Sequence, residues 1–286
     1  MQEFTENGVT IDYAEPEPAS ETISESEALA REDDGDLPFR HTRPYFVWER
    51  NRSNIVDDAA IQVRPTGYPA YEVDLRPKRL DPHLIAFNDL DPHGIAPYNR
   101  LVISLISAAA SRKLKRLLIA SAQYGDGRTT VMLNLAAALA RARQRVLVVE
   151  SDFLRPSAMR LLGIDSATGL AEAVAKGLAP SKAMVWLQPI GFNLLPTCAQ
   201  VENSAELLAS PFFEVMLRNL SPEFDFILFD SAPLLAAADA RLLELHTDAT
   251  LLVIRQGAAS ASQMAKAVAL LNEERLLGAV LNRVAH

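Results

Sequence analysis

The sequence has 286 residues, 49% of them apolar, and a formal net charge of −8. No apolar run reaches the roughly 18 residues of a membrane-spanning helix, and the acidic N-terminus lacks the basic-then-apolar opening of a signal peptide. The acidic balance, without a basic and aromatic patch, argues against nucleic acid as a partner. The single cysteine, Cys198, excludes an internal disulfide and indicates a reduced, cytoplasmic setting.

The N-terminal third divides into two segments of different composition. Residues 1–36 carry twelve acidic residues and one basic residue, a net charge of −11, which leaves +3 for the remainder. Such a composition buries too little apolar surface to offset the entropy of ordering, so we predict a disordered acidic tail, either solubilising or attracting a basic partner. Residues 37–97 combine frequent prolines with aromatic residues. This pattern disfavours long helices and predicts an extended segment that packs on the following domain or on a partner.

Residues 98–286 are predicted to form one domain that opens with a helix and a strand–turn–helix unit. The apolar run Leu101–Ala110 predicts the helix, and Leu117–Ala120 predicts the strand. The turn that follows contains Gly125 and Gly127, and an Ala/Leu-rich helix continues to Arg141. Small residues in such a turn let backbone N–H groups converge on an anion, and the helix N-terminus adds positive potential. The order is that of a phosphate-binding P-loop, usually Gly-x-x-x-x-Gly-Lys-[Ser/Thr].

The loop departs from that pattern at its most important side chain. Gly127 and Thr129 fit, whereas Ala122 replaces the first glycine and Arg128 replaces the lysine. Arginine presents a broad planar guanidinium where lysine presents a compact charge on a flexible stem. We therefore expect Arg128 to reach the lysine's position only by displacing a neighbouring group.

Strands and helices alternate along the rest of the domain. Ser204 is the predicted N-cap of a helix through Leu220, and a further helical stretch runs from Ser260 to Glu274. The other predicted strands are Val146–Val149, Phe192–Pro196, Phe226–Phe229, Ala249–Ile254 and Gly278–Leu281. Strands buried on both faces and alternating with helices predict an α/β fold with a doubly wound, mostly parallel sheet.

Carboxylates follow two of these strands. Glu150 and Asp152 come after one strand, and Asp230 comes directly after another. Because the carboxyl ends of parallel strands meet at the crevice where ligands bind, we expect these groups beside the glycine turn. In nucleotide hydrolases such carboxylates hold magnesium and orient the attacking group. The combination predicts a nucleotide site in which Thr129, Asp152 and Asp230 hold the metal.

Together, and in this order, the motifs resemble those of the bacterial tyrosine kinases of capsule and exopolysaccharide synthesis, which belong to the MinD/ParA-like P-loop ATPases. The resemblance extends from Leu80 to Asn282. It rests on residues 125–130 for the Walker A motif, 148–156 for the second Walker A-like motif, 224–233 for Walker B, and shorter motifs at 80–82, 205–211, 238–240 and 278–282.

The resemblance implies a MinD/ParA-like P-loop NTPase fold with ATP and Mg²⁺ as cofactors, and it places Asn282 at the adenine edge. The implied catalytic residues are Arg128, Glu150, Asp152 and Asp230. The implied nucleotide contacts are Gly125, Asp126, Gly127, Arg128, Thr129 and Thr130. The resemblance also implies a membrane polysaccharide co-polymerase as the partner that recruits the protein to the inner face of the membrane, and it is compatible with a homo-oligomer.

Several positions depart from the family pattern. The Walker A lysine is Arg128, and the first aspartate of the second motif is Glu150. The last tyrosine is Tyr124, so the family's C-terminal tyrosine cluster has no counterpart in this sequence. These changes predict a regulatory protein that binds nucleotide with little hydrolysis and no autophosphorylation. Two alternatives stay open: an active ATPase or tyrosine kinase of the same pathway, and a MinD/ParA-like positioning ATPase, whose signature lysine would stand near Ala122 and Gln123.

Overall fold

The computed structural model of the chain describes residues 71–87, 92–166 and 168–283. The predicted acidic tail, 1–36, and the predicted extended segment up to residue 70 lie outside these ranges. All described residues belong to one unit. Within the described ranges, no helix combines the length and the apolar character needed to cross a bilayer.

The described residues form an eight-stranded sheet. Its strands are β1 (Tyr71–Asp74), β2 (Arg116–Ser121), β3 (Val146–Val149), β4 (Val185–Gln188), β5 (Phe192–Leu195), β6 (Phe226–Phe229), β7 (Ala249–Arg255) and β8 (Leu276–Asn282). They lie in the order β1-β4-β5-β3-β6-β2-β7-β8. Every neighbouring pair is parallel except β4 and β5, which confirms the predicted mostly parallel sheet.

Eight α-helices of the described residues cover the sheet. They are α1 (Pro92–Arg112), α2 (Arg128–Arg141), α3 (Ala158–Leu162), α4 (Leu170–Ala175), α5 (Ser204–Leu208), α6 (Pro211–Leu220), α7 (Asp239–Leu245) and α8 (Ala261–Val268). Successive side chains of a strand point to opposite faces of a sheet. In β2, accordingly, Leu117 and Ile119 join a core with α1, α2 and α3, whereas Leu118 and Ala120 join a second core with α4 to α8. The sheet is therefore doubly wound, as predicted.

Two helices end earlier than the sequence predicted. The single helix expected from Ser204 to Leu220 is two helices, α5 and α6, because Pro211 disfavours helical backbone at the residue before it. Ser210 is the N-cap of α6, and its hydroxyl accepts the backbone N–H of Phe213. Ser260 does cap α8, but that helix ends at Val268 rather than at Glu274.

The segment before residue 98 contributes more regular structure than its prolines suggested. Strand β1 pairs with β4, which the sequence reasoning did not predict either. Helix α1 begins at Pro92 and contains Pro97, so the expected exclusion of long helices was wrong here. Pro92 is tolerated because the N–H that it lacks would have no helical partner at the first position. Pro97 lies inside the helix, where it removes one backbone hydrogen bond. The predicted domain boundary between residues 97 and 98 falls inside α1.

A buried amide fastens residues 83–86 to the domain. Asn134 of α2 is 1% exposed. Its Oδ1 atom accepts the N–H of Ala86 at 2.9 Å, and its Nδ2 atom donates to the carbonyl of His83 at 2.9 Å. Together with the buried side chains Leu84 and Phe87, this bridge places the described part of the predicted extended segment on the domain itself.

We expect Asn134→Ala to destabilise the fold by about 1–3 kcal/mol, because it leaves the buried N–H of Ala86 without a partner and removes a part-buried bond to the carbonyl of His83. Urea unfolding measures the change. Lys266→Ala, at an exposed position of α8, is the control and should stay within about 0.5 kcal/mol of the wild type. Equal stability of the Asn134 variant and the control would show that the bridge contributes nothing.

Candidate functional site

The sheet order brings the predicted site segments together. Strands β3, β6 and β2 are neighbours and run parallel. Their carboxyl ends lead into Glu150 and Asp152, into Asp230, and into the glycine turn respectively. Sequence patterns place each segment after a strand, whereas only the strand order makes the three segments adjacent.

The glycine turn has the backbone of an anion-binding loop. Gly125 has φ +85° and Gly127 has φ +90°, both in the left-handed region that favours glycine. Gly127 is also the N-cap of the 14-residue helix α2. A Cβ atom on Gly127 would lie 2.2 Å from Nδ2 of Asn282, and that amide donates to the carbonyl of Asp126 at 2.8 Å. Asn282 thus packs on the loop and fixes its shape.

Arg128 lies between two carboxylates. Its side chain is 6% exposed, and its Nη2 atom donates to Oδ2 of Asp152 at 2.9 Å. Its Nε atom donates to Oδ1 of Asp230 at 3.3 Å, and its Nη1 atom donates to the hydroxyl of Ser121 at 2.7 Å. The guanidinium is therefore turned toward the strand ends and is bound there by three partners.

The remaining carboxylate oxygens are also engaged. Oδ2 of Asp230 accepts the hydroxyl of Thr129 at 2.5 Å, and Oδ1 of Asp152 accepts the N–H of Arg155 at 3.0 Å. Burial raises the pKa of Asp152, while the N–H of Arg155 and the charge of Arg128 oppose the rise. The structure thus brings together the predicted residues Arg128, Thr129, Asp152 and Asp230.

The arrangement does not fit a magnesium ion as it stands. Magnesium requires oxygen ligands in near-octahedral geometry at about 2.0–2.1 Å. Thr129, Asp152 and Asp230 supply oxygens of the right kind, but the guanidinium of Arg128 fills the position between the two aspartates. A metal at this position would have to displace a buried cation from both of its partners.

Glu150 is directed elsewhere. Its Oε1 atom accepts the N–H groups of Ser157 and Ala158, both at 2.6 Å, and its Oε2 atom accepts the N–H of Thr197 at 3.1 Å. The side chain therefore holds the start of α3 and the backbone after β5, which favours a positioning role over the predicted catalytic one. Burial raises the pKa of Glu150 to about 7; the three N–H groups oppose this rise and the charge of Asp230 adds to it.

A cavity of about 300 Å³ opens beside the loop. Of the predicted site residues, it is lined by Gly125, Gly127, Arg128, Thr129, Thr130 and Asp152. Asp126, Glu150, Asp230 and Asn282 lie outside its lining. The side chain of Asp126 instead accepts the N–H of Gln123 within the turn at 3.1 Å, and Asp230 is wholly buried below Arg128 and Thr129.

The cavity also contains basic residues that sequence reasoning did not assign to the site. They are His83, Arg155, Arg160 and Arg283. The guanidinium carbon of Arg155 lies 4.2 Å from the centre of the Tyr124 ring, a cation–π contact over the loop. Arg155 follows Asp152 in the second motif and Arg160 comes shortly after it, which was the one available signal; His83 and Arg283 come from distant segments. A larger cavity, about 480 Å³, lies near β1 and β4 and contains none of the predicted site residues.

The profile of the AAA domain family matches residues 114–275, more than half of the chain. The chain belongs to this family. Tyrosine-protein kinase YwqD of Bacillus subtilis (strain 168) is 28% identical over 209 residues, which are 72% of this chain and 88% of YwqD. Among solved structures, the kinase domain of Escherichia coli tyrosine kinase ETK has a TM-score of 0.66 at 27% identity, covering 72% of this chain and 81% of that one.

Another similar solved structure is the cell division ATPase MinD of Pyrococcus furiosus, with a TM-score of 0.52 and 27% identity, covering 60% of this chain and 73% of MinD. These likenesses confirm a P-loop ATPase of the bacterial tyrosine-kinase family with a MinD/ParA-like fold. The chain spans only 25% to 28% of the length of some other curated tyrosine-kinase relatives.

We expect Glu150→Gln to remove a pH-dependent part of the stability. The folded-state pKa of about 7 exceeds the ordinary value of 4.5, so protonated Glu150 favours the folded state. Its contribution is complete below about pH 4.5 and is lost as the pH rises to about 7, a change of at most about 3 kcal/mol. Urea unfolding of both proteins between about pH 5 and pH 8 measures this. A wild-type stability that does not fall relative to the variant over this interval would contradict the assignment.

Proposed function

We propose that this member of the AAA domain family binds ATP and regulates capsule or exopolysaccharide assembly, with impaired or absent phosphoryl transfer. It would act at the inner face of the membrane by docking to a membrane polysaccharide co-polymerase. One observation carries the nucleotide part of the proposal. The loop keeps the backbone of a phosphate site, while Arg128, in place of the lysine, is bound to two buried carboxylates.

The backbone of the loop supports nucleotide binding. Both loop glycines have positive φ, and the loop leads directly into α2, whose N-terminus attracts phosphate through its free N–H groups and its dipole. Arg155, Arg160 and Arg283 line the adjoining cavity and are exposed. Guanidinium groups bind phosphate oxygens in bidentate fashion, so the cavity suits a polyphosphate.

The position of Arg128 supports weak turnover. A group accelerates phosphoryl transfer only if it interacts more strongly with the transition state than with the ground state. To follow the transferred phosphate, Arg128 would have to leave Asp152 and Asp230, which are 3% and 0% exposed. Removing one partner of a buried ion pair costs about 3–5 kcal/mol. Since that energy would add to the barrier, nucleotide binding should survive better than hydrolysis.

Two alternatives remain testable. An active ATPase or tyrosine kinase is favoured by the close grouping of Thr129, Asp152 and Asp230, the same residue types that such enzymes use. A MinD/ParA-like positioning ATPase has the fold in its favour. Ala122 and Gln123 occupy the place of that group's signature lysine, which argues against this second alternative.

We expect the wild type to bind ATP in calorimetry while hydrolysing it slowly. Arg128→Lys should raise the ATPase rate by roughly tenfold or more; tenfold is about 1.4 kcal/mol of barrier. The single ammonium of lysine cannot bridge both aspartates as the guanidinium fork does, and its flexible stem can direct it toward the phosphates. Asp230→Asn in the Lys variant should abolish the gain. Phosphate release and tyrosine phosphorylation are measured in parallel.

Arg145→Lys is the matched control, since Arg145 also pairs with an aspartate, Asp225, but outside the site. It should leave ATPase activity unchanged. If the wild type turns over ATP as fast as the Arg128→Lys variant, Arg128 is a working replacement and the active-enzyme alternative is correct. An absence of ATP binding would rule out the nucleotide-dependent proposal altogether.

A further inference from the structure

We propose that Arg128 is a built-in cation that takes the place of magnesium, so that the site binds nucleotide in its metal-free form. This inference rests on the proposed function, because it concerns the same loop. It goes further in naming the chemical form of the ligand, a nucleotide polyphosphate without a divalent ion.

The first argument is the occupancy of the carboxylate oxygens. Both oxygens of Asp152 are engaged, one by the guanidinium of Arg128 and one by the N–H of Arg155. Both oxygens of Asp230 are engaged as well: Oδ1 accepts Arg128 and the N–H of Ser231, and Oδ2 accepts the hydroxyl of Thr129. Each of the four carboxylate oxygens therefore already accepts a hydrogen bond, and a metal ion would have to compete with that donor.

The second argument is charge. The guanidinium of Arg128 is a planar cation with two of its nitrogens directed at Asp152 and Asp230. It already neutralises part of the charge that would attract a divalent cation, and it would repel such a cation at close range. Because Arg128 is only 6% exposed, solvent screens this repulsion weakly.

The third argument concerns the phosphates. A nucleotide without magnesium carries more negative charge than its magnesium complex, and that charge needs protein cations. Arg155, Arg160 and Arg283 are exposed on the cavity next to the loop. The cavity's acidic residue outside the Arg128 cluster is Asp81, which pairs with His83 at 2.8 Å. Three guanidinium groups are thus placed to replace the metal on the phosphate side.

The test is calorimetric titration of ATP into the wild type, with magnesium chloride or with EDTA. We expect ATP to bind at least as tightly in EDTA as in magnesium. Arg128→Lys removes the guanidinium fork, and we expect its ATP affinity to fall roughly tenfold or more in EDTA, about 1.4 kcal/mol. Arg145→Lys, the arginine paired with Asp225 elsewhere, should behave like the wild type.

A second measurement needs no variant. Electron paramagnetic resonance of Mn²⁺ with ATP reports free metal, and added wild-type protein should release Mn²⁺ as it captures metal-free ATP. ATP binding that requires magnesium, or a protein-bound Mn²⁺ signal, would overturn the inference and leave the proposed function standing. Failure to bind ATP under either condition would overturn both.

Discussion

The placement of one buried cation governs the chemistry of this site. Arg128 is the first residue of α2, and its guanidinium bridges Asp152 and Asp230. These aspartates follow the neighbouring strands β3 and β6. The three charges are almost entirely shielded from solvent, and a buried charge is tolerated only when it is paired and hydrogen-bonded. Each member therefore holds the others in place. These ion pairs connect the loop, helix α2 and the two strand ends. A ligand of the loop must therefore bind beside the intact ion pairs or separate Arg128 from the aspartates.

The carboxylates that follow β3 and β6 have different partners. Asp152 and Asp230 face Arg128, whereas Glu150, only two residues before Asp152, faces the start of α3 and the backbone near Thr197. Asn282 braces the loop from the far end of the sheet through the carbonyl of Asp126. The shape of the glycine loop thus depends on contacts from the segments that follow β3 and β6 and from β8.

The sequence predicted the sheet well and the site partly. Short apolar runs bounded by turn residues located β2, β3, β6 and β7, because strands of a parallel sheet are buried on both faces and read as continuous apolar sequence. The strands β1 and β4 were missed. β1 is a short and mostly exposed edge strand, and β4 lies next to it as a four-residue strand without a long apolar run. The predicted helix ends were wrong where a proline or an N-cap residue ends one helix and begins the next, as at Ser210 and Pro211. In the site, Arg155, Arg160 and Arg283 were not found. Arg155 and Arg160 follow Asp152 closely in the chain, but only the folded structure shows that they line the cavity, and Arg283 comes from the distant end of β8.

By itself the sequence determined the fold class, the family and the chemical types at the strand ends, since these follow from hydrophobic patterning and from motif order along the chain. The sequence also showed that Arg128 stands at the position of the P-loop lysine. Only the tertiary structure decided what that arginine does. Whether a guanidinium faces phosphates or carboxylates depends on strand order, which sets Asp152 and Asp230 within about 3 Å of its nitrogens. A linear sequence records neither that adjacency nor the burial that makes the pairing persist.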